Sequence, residues 1–352
     1  MASRLDSTSE VRSAKQTAWR ALQALHRAPE ATGDQVQAAG RWLSSDSQWV
    51  ISHPINELIG PQAVSTGFLA PLRQALPDLE RRTDLLFGGQ WDGRFDGGAG
   101  TWVTCTGHYL GRFAQPLWGI PPTGQPVWLR FGEFYRLEQG RIAEARILLD
   151  LIDLARQAGM RLLPKSSGLE VLVPGPRDGG GLLLDSGQVP LESHVTPDSA
   201  ACLPLVEAMI GGLGRYNQKD LRSMGMEQYW RPDMMWYGPC GIGTSRGIDG
   251  FQTHHQKPFL IAFPDRKGGH HRARFGEGDY VASTGWPSVR ATHAGPYLGT
   301  PATNRPITMR VMDWWRQEEG LLAENWVLID LPHLFLQMGV DLLAPLHGSG
   351  HR

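Results

Sequence analysis

The sequence predicts an α+β chain made of two copies of one module. Three observations predict it. Residues 127–159 repeat without a gap in residues 307–339, 180 positions later, with about a third of the positions identical. A second block repeats upstream at a spacing of 187. In each copy, helical periodicity comes first and β-rich segments follow.

The opening helix is predicted over 11–28, where Val11, Ala14, Ala18, Leu22 and Leu25 fall on one face. The upstream block pairs Asp46 with Asp233, Trp49 with Trp236, Gly60 with Gly247, Ala75 with Ala262, Pro77 with Pro264 and Asp78 with Asp265. Strands are predicted at 84–89, 101–113, 127–137 and 141–150. In the downstream repeat, Arg130/Arg310, Arg136/Arg316, Glu138/Glu318, Gly140/Gly320, Glu144/Glu324 and Asp150/Asp330 coincide. Turns at Glu138-Gln139-Gly140 and Glu318-Glu319-Gly320 should close the last two strands of each copy into a hairpin. Residues 164–197, rich in Pro and Gly, read as a linker between domains at 1–163 and 198–352. In the second copy, Thr196 or Asp198 can cap a helix running to about Gly212. A short helix follows around 217–226, then strands at 271–275, 279–284, 307–316 and 321–330. The second copy needs seven residues fewer, and much of the difference is expected in the Pro/Gly-rich loop AQPLWGIPPTG after His108.

A length of 352 residues allows two domains with sizeable cores. With 34 basic and 35 acidic residues, no basic stripe points to nucleic acid. No apolar run reaches the roughly 20 residues of a membrane span, and the N-terminus lacks a signal-peptide core, so a cytoplasmic protein is expected. Three scattered cysteines make neither a disulfide framework nor a zinc pattern. The 13 tryptophans suit either core or an aromatic-lined pocket.

Copy two contains Ala291-Thr292-His293-Ala294-Gly295-Pro296-Tyr297-Leu298-Gly299, then Glu324-Asn325-Trp326-Val327-Leu328-Ile329-Asp330 and Gln337-Met338-Gly339. Copy one contains Gly119-Ile120-Pro121-Pro122-Thr123-Gly124 with Ile142, Glu144 and Asp150. This pattern resembles the SnoaL-like polyketide cyclases, which have the nuclear transport factor 2-like fold. Copy one departs in having Arg146 at the tryptophan position and Thr106-Gly107-His108-Tyr109-Leu110-Gly111 at the histidine stretch. Copy two departs in the loop, with Thr300-Pro301-Ala302-Thr303-Asn304. The resemblance implies two cone-shaped domains, each with N-terminal helices on a curved antiparallel sheet around an apolar pocket. It also implies acid–base chemistry by an aspartate on the last strand with a histidine nearby, and no metal or cofactor. Carried over, these residues are Asp330 or Asp150, and His293 or His108. Isolated modules of this fold commonly pair through their sheets. A tandem chain could satisfy that pairing internally as a pseudo-dimer, or pair again as a homodimer.

On the last strand, Trp326, Leu328 and Asp330 share a face. A carboxyl beside Trp and Leu loses solvation, which raises its pKa toward the working pH. Such a group can take a proton alpha to a carbonyl and return one to oxygen, with His293 bonding the enolate. Equally, Asp330 could end the strand and cap the next turn. In copy one, Arg146 is expected on the face of Asp150, lowering that carboxyl's pKa and making it an anion holder. Both histidines could be structural or catalytic. Glu133 and Asp313 could be pocket polar groups, or outer-face partners of Arg130 and Arg310. Trp236, Tyr237 and Trp49 could line a pocket mouth or form core.

Three further patterns need weighing. Gly243-Thr244-Ser245-Arg246-Gly247 matches a nucleophile elbow but lacks the parallel α/β surroundings. His254-His255 and His270-His271 could hold a metal, but neighbours on a strand point to opposite faces. The glycine clusters lack a phosphate-loop pattern. The leading expectation is a cofactor-free cyclase or isomerase acting on a hydrophobic carbonyl compound, without nucleic-acid or membrane partners. The alternatives are a non-catalytic small-molecule-binding module and a hydrolase that activates water with the same carboxylate.

Overall fold

The computed structural model describes residues 2–27, 32–95, 97–179 and 201–344. The first half begins with helices α1 (Ala2–Arg27) and α2 (Thr32–Trp42) and strands β1 (Leu43–Ile51) and β2 (Glu57–Ile59). A continuous helical segment follows: α3 (Gly60–Val64), a π-helical turn (Ser65–Leu69) and α4 (Ala70–Ala75). Strands β3 (Glu80–Trp91), β4 (Gly100–Arg112), β5 (Pro126–Glu138) and β6 (Arg141–Leu149) and helix α5 (Leu151–Gln157) complete it. The second half repeats the order with α6 (Cys202–Leu213), β7 (Trp230–Tyr237), β8 (Thr244–Arg246), α7 (Gly247–Phe251), a π-turn (Gln252–Gln256) and α8 (Lys257–Ala262). It ends with β9 (Lys267–Gly268), β10 (His271–Glu277), β11 (Tyr280–Thr292), β12 (Pro306–Glu318), β13 (Leu321–Ile329) and α9 (Leu331–Gln337).

The α+β class and the duplication hold. The sheets run β2-β1-β6-β5-β4-β3 and β10-β11-β12-β13-β7-β8, with β9 beside β11. Each sheet is mixed, because β1 pairs parallel with β6 and β7 parallel with β13. This follows from chain order: the helical segment carries the chain across before β3 or β10 begins, so the first long strand returns beside the last. The hairpin turns are as expected. Gln139 (φ 48°) with Gly140 (φ 71°), and Glu319 (φ 53°) with Gly320 (φ 76°), put both central residues in the left-handed region that matches strand twist. The π-turns precede Pro71 and Pro258, which lack an N–H; the wider turn accommodates the missing donor.

Period-two alternation gives each sheet two faces. The odd positions of β5 and β6 (Phe131, Tyr135, Ala145, Ile147) face the helices of their own half, where Ala18, Leu22 and Leu25 of α1 pack. The opposite faces of the two sheets meet in a shared core: Trp102, Phe134 and Leu148 against Phe275, Trp314, Trp326 and Leu328. Gly132 permits this approach, since a Cβ there would lie 2.3 Å from the Trp314 ring. The Trp314 indole N–H donates across to Thr104 Oγ1 at 2.9 Å.

Several expectations change. Helix α1 starts earlier than predicted, and the helix at 217–226 is instead two 3-10 turns, Leu221–Met224 and Met226–Gln228, broken at Gly225 (φ 63°). The caps proposed at Thr196 and Asp198, and most of the linker, lie outside the described residues. Residues 164–179 are pinned to the second half: Leu169 pairs with Thr244, and Trp326 Nε1 donates to the Pro174 carbonyl at 2.8 Å.

The AQPLWGIPPTG loop is not an insertion. Leu117–Ile120 and Tyr297–Thr300 form the same bridge, and Trp118 (φ 45°) and Leu298 (φ 44°) the same turn. The seven residues fall in the β3–β4 hairpin, which β10–β11 closes with a tight turn. In consequence the counterpart of His293 is Phe113, not His108. Phe113 N donates to Gln125 O, and His293 N to Arg305 O, each at 2.9 Å.

Candidate functional site

A cavity of about 390 Å³ lies in the second half, between the inner face of its sheet and the helices and loops that cover it. Its apolar walls include Trp230, Trp236, Phe251, Phe259, Met309 and Trp315. Asp313 reaches this cavity because β12 alternates: Met309, Val311, Asp313 and Trp315 turn inward, whereas Met312 and Trp314 turn to the other half. In register, Asp313 lies opposite Ser283 on β11 and Val327 on β13. Its nearest polar side-chain contact is Asn325 Nδ2, 3.5 Å from Oδ1; the same amide donates to the Trp314 carbonyl at 3.0 Å. Burial raises the Asp313 pKa to about 7, and Asn325 and Arg274 offset only part of the rise. Near neutral pH this carboxyl therefore has substantial populations of both acid and base.

Two histidines line the same cavity. His271 Nδ1 lies 2.8 Å from Ser283 Oγ, and burial, then Arg274 and His270, lower its pKa to about 3. His255 projects from the π-turn and stacks on Trp236 at 4.3 Å between centroids, tilted by 16°. Burial lowers its pKa to about 3 as well. Both rings are neutral, able to donate or accept a hydrogen bond without carrying charge. His254 and His255 lie on a helical turn rather than on a strand.

The equivalent place in the first half is filled. Glu133 corresponds to Asp313, and both its oxygens are bound. Arg81 donates to Oε1 at 2.9 Å and to Oε2 at 2.5 Å; Tyr109 donates to Oε1 at 2.5 Å and Cys105 to Oε2 at 3.1 Å. Burial would raise this carboxyl's pKa, but Arg81 and the hydrogen bonds overcome it and hold it below the ordinary value. The strand register identifies the exchange that opened the other half. Tyr109 pairs with Leu129 and Arg81, whereas Val289 pairs with Met309 and Gly268. Val289 and Gly268 therefore stand where Tyr109 and Arg81 stand, and both line the cavity.

The other predicted residues are distributed differently from expectation. Trp326, Leu328 and Asp330 do share a face, but that face meets the first half. Asp330 caps α9 by accepting from His333 N at 3.2 Å, and its other oxygen accepts from His53 N and Arg310 Nη1, both at 3.0 Å. Burial raises its pKa while Arg310 opposes the rise. Asp150 mirrors it, capping α5 through Asp153 N at 3.1 Å and accepting from Cys240 N at 2.8 Å. The expected lowering of its pKa by Arg146 does not occur. Arg146 turns to Glu144 (2.8 Å) and the Trp286 ring, and burial, then Asp153, raise Asp150 to about 6.

His293 is buried, with Nδ1 3.0 Å from Thr303 Oγ1, in the loop after β11. His108 is half-buried beside Asp84 at 3.4 Å. Tyr237 stacks on Trp326 and donates to Glu324 at 2.9 Å, so both rings belong to the contact between halves. Trp49 packs in the first-half core against Phe68 and Tyr135. Glu133 and Asp313 are not outer-face partners of Arg130 and Arg310: they point inward, and Arg130 instead donates to the carbonyls of Gly238 and Tyr237. Of the predicted set, the structure brings Asp313 and Trp236 together at the cavity. Ser283, Asn325 and Arg266 were missed. Asn325 had a legible signal, since it is one pleat period from Val327 and so shares the inward face of Asp313.

A family model described as SnoaL-like polyketide cyclase matches residues 36–158 and 215–338. Among solved structures, IdmH from Streptomyces antibioticus is 24% identical, covers 39% of this chain and 99% of its own, and has a TM-score of 0.32. TsrD from Streptomyces laurentii is 24% identical over 39% of this chain and 96% of its own, with a TM-score of 0.31. A nuclear transport factor 2-like protein from Burkholderia xenovorans is 16% identical over 40% and 97%, with a TM-score of 0.30. No curated protein matches the chain significantly.

Proposed function

From the premise that this chain belongs to the SnoaL-like polyketide cyclase family, we propose that its second half is a cyclase or isomerase acting on a hydrophobic carbonyl compound, with Asp313 as general acid and base. The observation that carries this reading is one half-buried carboxyl, raised to about 7, facing an apolar cavity of about 390 Å³. Asp330 is the weaker candidate, because both its oxygens are already engaged by backbone N–H groups and Arg310.

In the proposed reaction, the Asp313 carboxylate takes a proton alpha to the substrate carbonyl, and the C–H electrons form the enolate. Asn325 Nδ2, or a neutral His255 or His271, donates a hydrogen bond to the enolate oxygen. The enolate carbon then attacks a second carbonyl of the same molecule, forming the ring bond. The resulting alkoxide recovers the proton from Asp313, so the carboxylate is regenerated. Return of the proton to another carbon gives isomerisation instead.

The experiment is deuterium exchange alpha to the carbonyl of tetralone in D2O, followed by NMR. Wild type should accelerate exchange, and Asp313→Asn should lose about 100- to 10,000-fold of that acceleration. Equal exchange by wild type and Asp313→Asn sinks the acid–base role.

A further inference from the structure

Arg266 lines the same cavity from the segment after α8, beside the exposed Lys267. Its guanidinium is partly buried. It reaches the Leu213 carbonyl at 3.5 Å and sits over the Tyr216 ring at 5.5 Å. Among the described residues, no carboxylate lies within 4.0 Å of it, whereas Arg81, Arg310 and Arg316 each reach one. The neighbouring Asp265 is committed to Thr292 N at 2.8 Å. Taking a guanidinium partly out of water without a counter-charge is unfavourable, and an anionic ligand group would offset it. The remaining wall is aromatic and suits a flat ring system.

We infer that the cavity contains an anion subsite, in which Arg266, supported by Lys267, receives a carboxylate carried by an otherwise apolar, aromatic carbonyl substrate. This rests on the reading of the cavity as the ligand site. Arg266 orients the substrate by its acid group, and the aromatic walls hold the ring whose carbonyl faces Asp313. The hydroxyl of Tyr216, also from the cavity wall, is available as a second donor to the carboxylate.

The test uses N-phenylnaphthylamine, a neutral fluorescent reporter, displaced either by naphthoate or by its neutral counterpart, methyl naphthyl ketone. On wild type, naphthoate should displace the reporter at a concentration about ten- to a hundredfold lower than the ketone does, as one charge-assisted contact implies. Arg266→Gln should bring the two close together while leaving the ketone unchanged, and Arg266→Lys should restore part of the preference. An unchanged preference in Arg266→Gln overturns the anion subsite. If the reporter does not bind wild type, or still binds after Val289→Tyr fills the cavity, the ligand-site reading itself fails and this inference with it.

Discussion

Glu133 and Asp313 occupy the same register position in the two halves, yet Arg81 grips both oxygens of Glu133 while Asp313 has only Asn325, at 3.5 Å, as a side-chain hydrogen-bond partner among the described residues. With a cation in contact and without one, the two carboxyls move in opposite directions: Glu133 below its ordinary value, Asp313 to about 7. The first half has the features of a filled structural core. The second keeps its carboxyl poised.

Asp313 should therefore cost stability at neutral pH. Its unfolded pKa is near 3.9 and its folded value about 7. Between these values the folded chain holds a proton that the unfolded chain has lost, so stability falls as pH rises through that window and levels off above it. Asp313→Asn should unfold at a higher temperature than wild type at pH 8, by up to about 4 kcal/mol of stability. Thermal unfolding followed by circular dichroism at pH 6, 7 and 8 checks this. A variant less stable than wild type at pH 8 contradicts it.

Removing the cation from Glu133 should do the reverse. Arg81→Met leaves a buried carboxylate with its Tyr109 and Cys105 contacts but no counter-charge. Breaking such a pair costs about 3–5 kcal/mol. Urea unfolding should show a lowered midpoint, and adding Glu133→Gln to Arg81→Met should recover part of it. No recovery would count against charge as the cause.

The exchange that separates the halves can be reversed. Gly268→Arg with Val289→Tyr copies Arg81 and Tyr109 into the second half, and a Cβ at Gly268 meets nothing within 4 Å. The double variant should fold, abolish binding of N-phenylnaphthylamine and stop tetralone exchange. Retained binding would mean that the ligand enters elsewhere.

Asp150 and Asp330 act as reciprocal clamps, each capping its own helix and accepting a backbone N–H from the other half. Asp150→Ala and Asp330→Ala should each lose about 2–4 kcal/mol, combining a cap with a charge-assisted hydrogen bond. At a temperature where the variants remain folded, tetralone exchange should persist. Loss of exchange in folded Asp330→Ala, with Asp313→Asn unaffected, would return catalysis to the last strand.

A second contact between halves predicts an acid-side effect. Glu144 receives Arg272 on both oxygens at 2.6 Å, and Arg146 besides. Burial opposes ionisation, but these arginines win and lower its pKa to about 2. Its stabilisation is full above the unfolded value near 4.3 and is lost as pH falls through about 2. Glu144→Gln should lower the urea midpoint at pH 7 by more than at pH 3; an equal loss at both would refute the linkage.

The amino-acid sequence determined the duplication, the α+β class, the hairpin turns and the alternation that puts Trp326, Leu328 and Asp330 on one face. These are local or periodic properties, written in spacing and in residues such as Gly140 and Gly320. It also made Asp313 a candidate, since a carboxyl in an aromatic-rich strand is visible as a pattern, though not which way it points. What it did not determine is which face of each sheet looks into a cavity and which meets the other half. Alternation gives two faces without saying which is which. Nor did it separate Glu133 from Asp313, because Arg81 and Gly268 lie on different strands, 52 and 45 residues before the carboxyls they would serve. Only tertiary pairing brings a cation into contact with one carboxyl and a glycine beside the other, and that contact separates the carboxyl held below its ordinary pKa from the one raised to about 7.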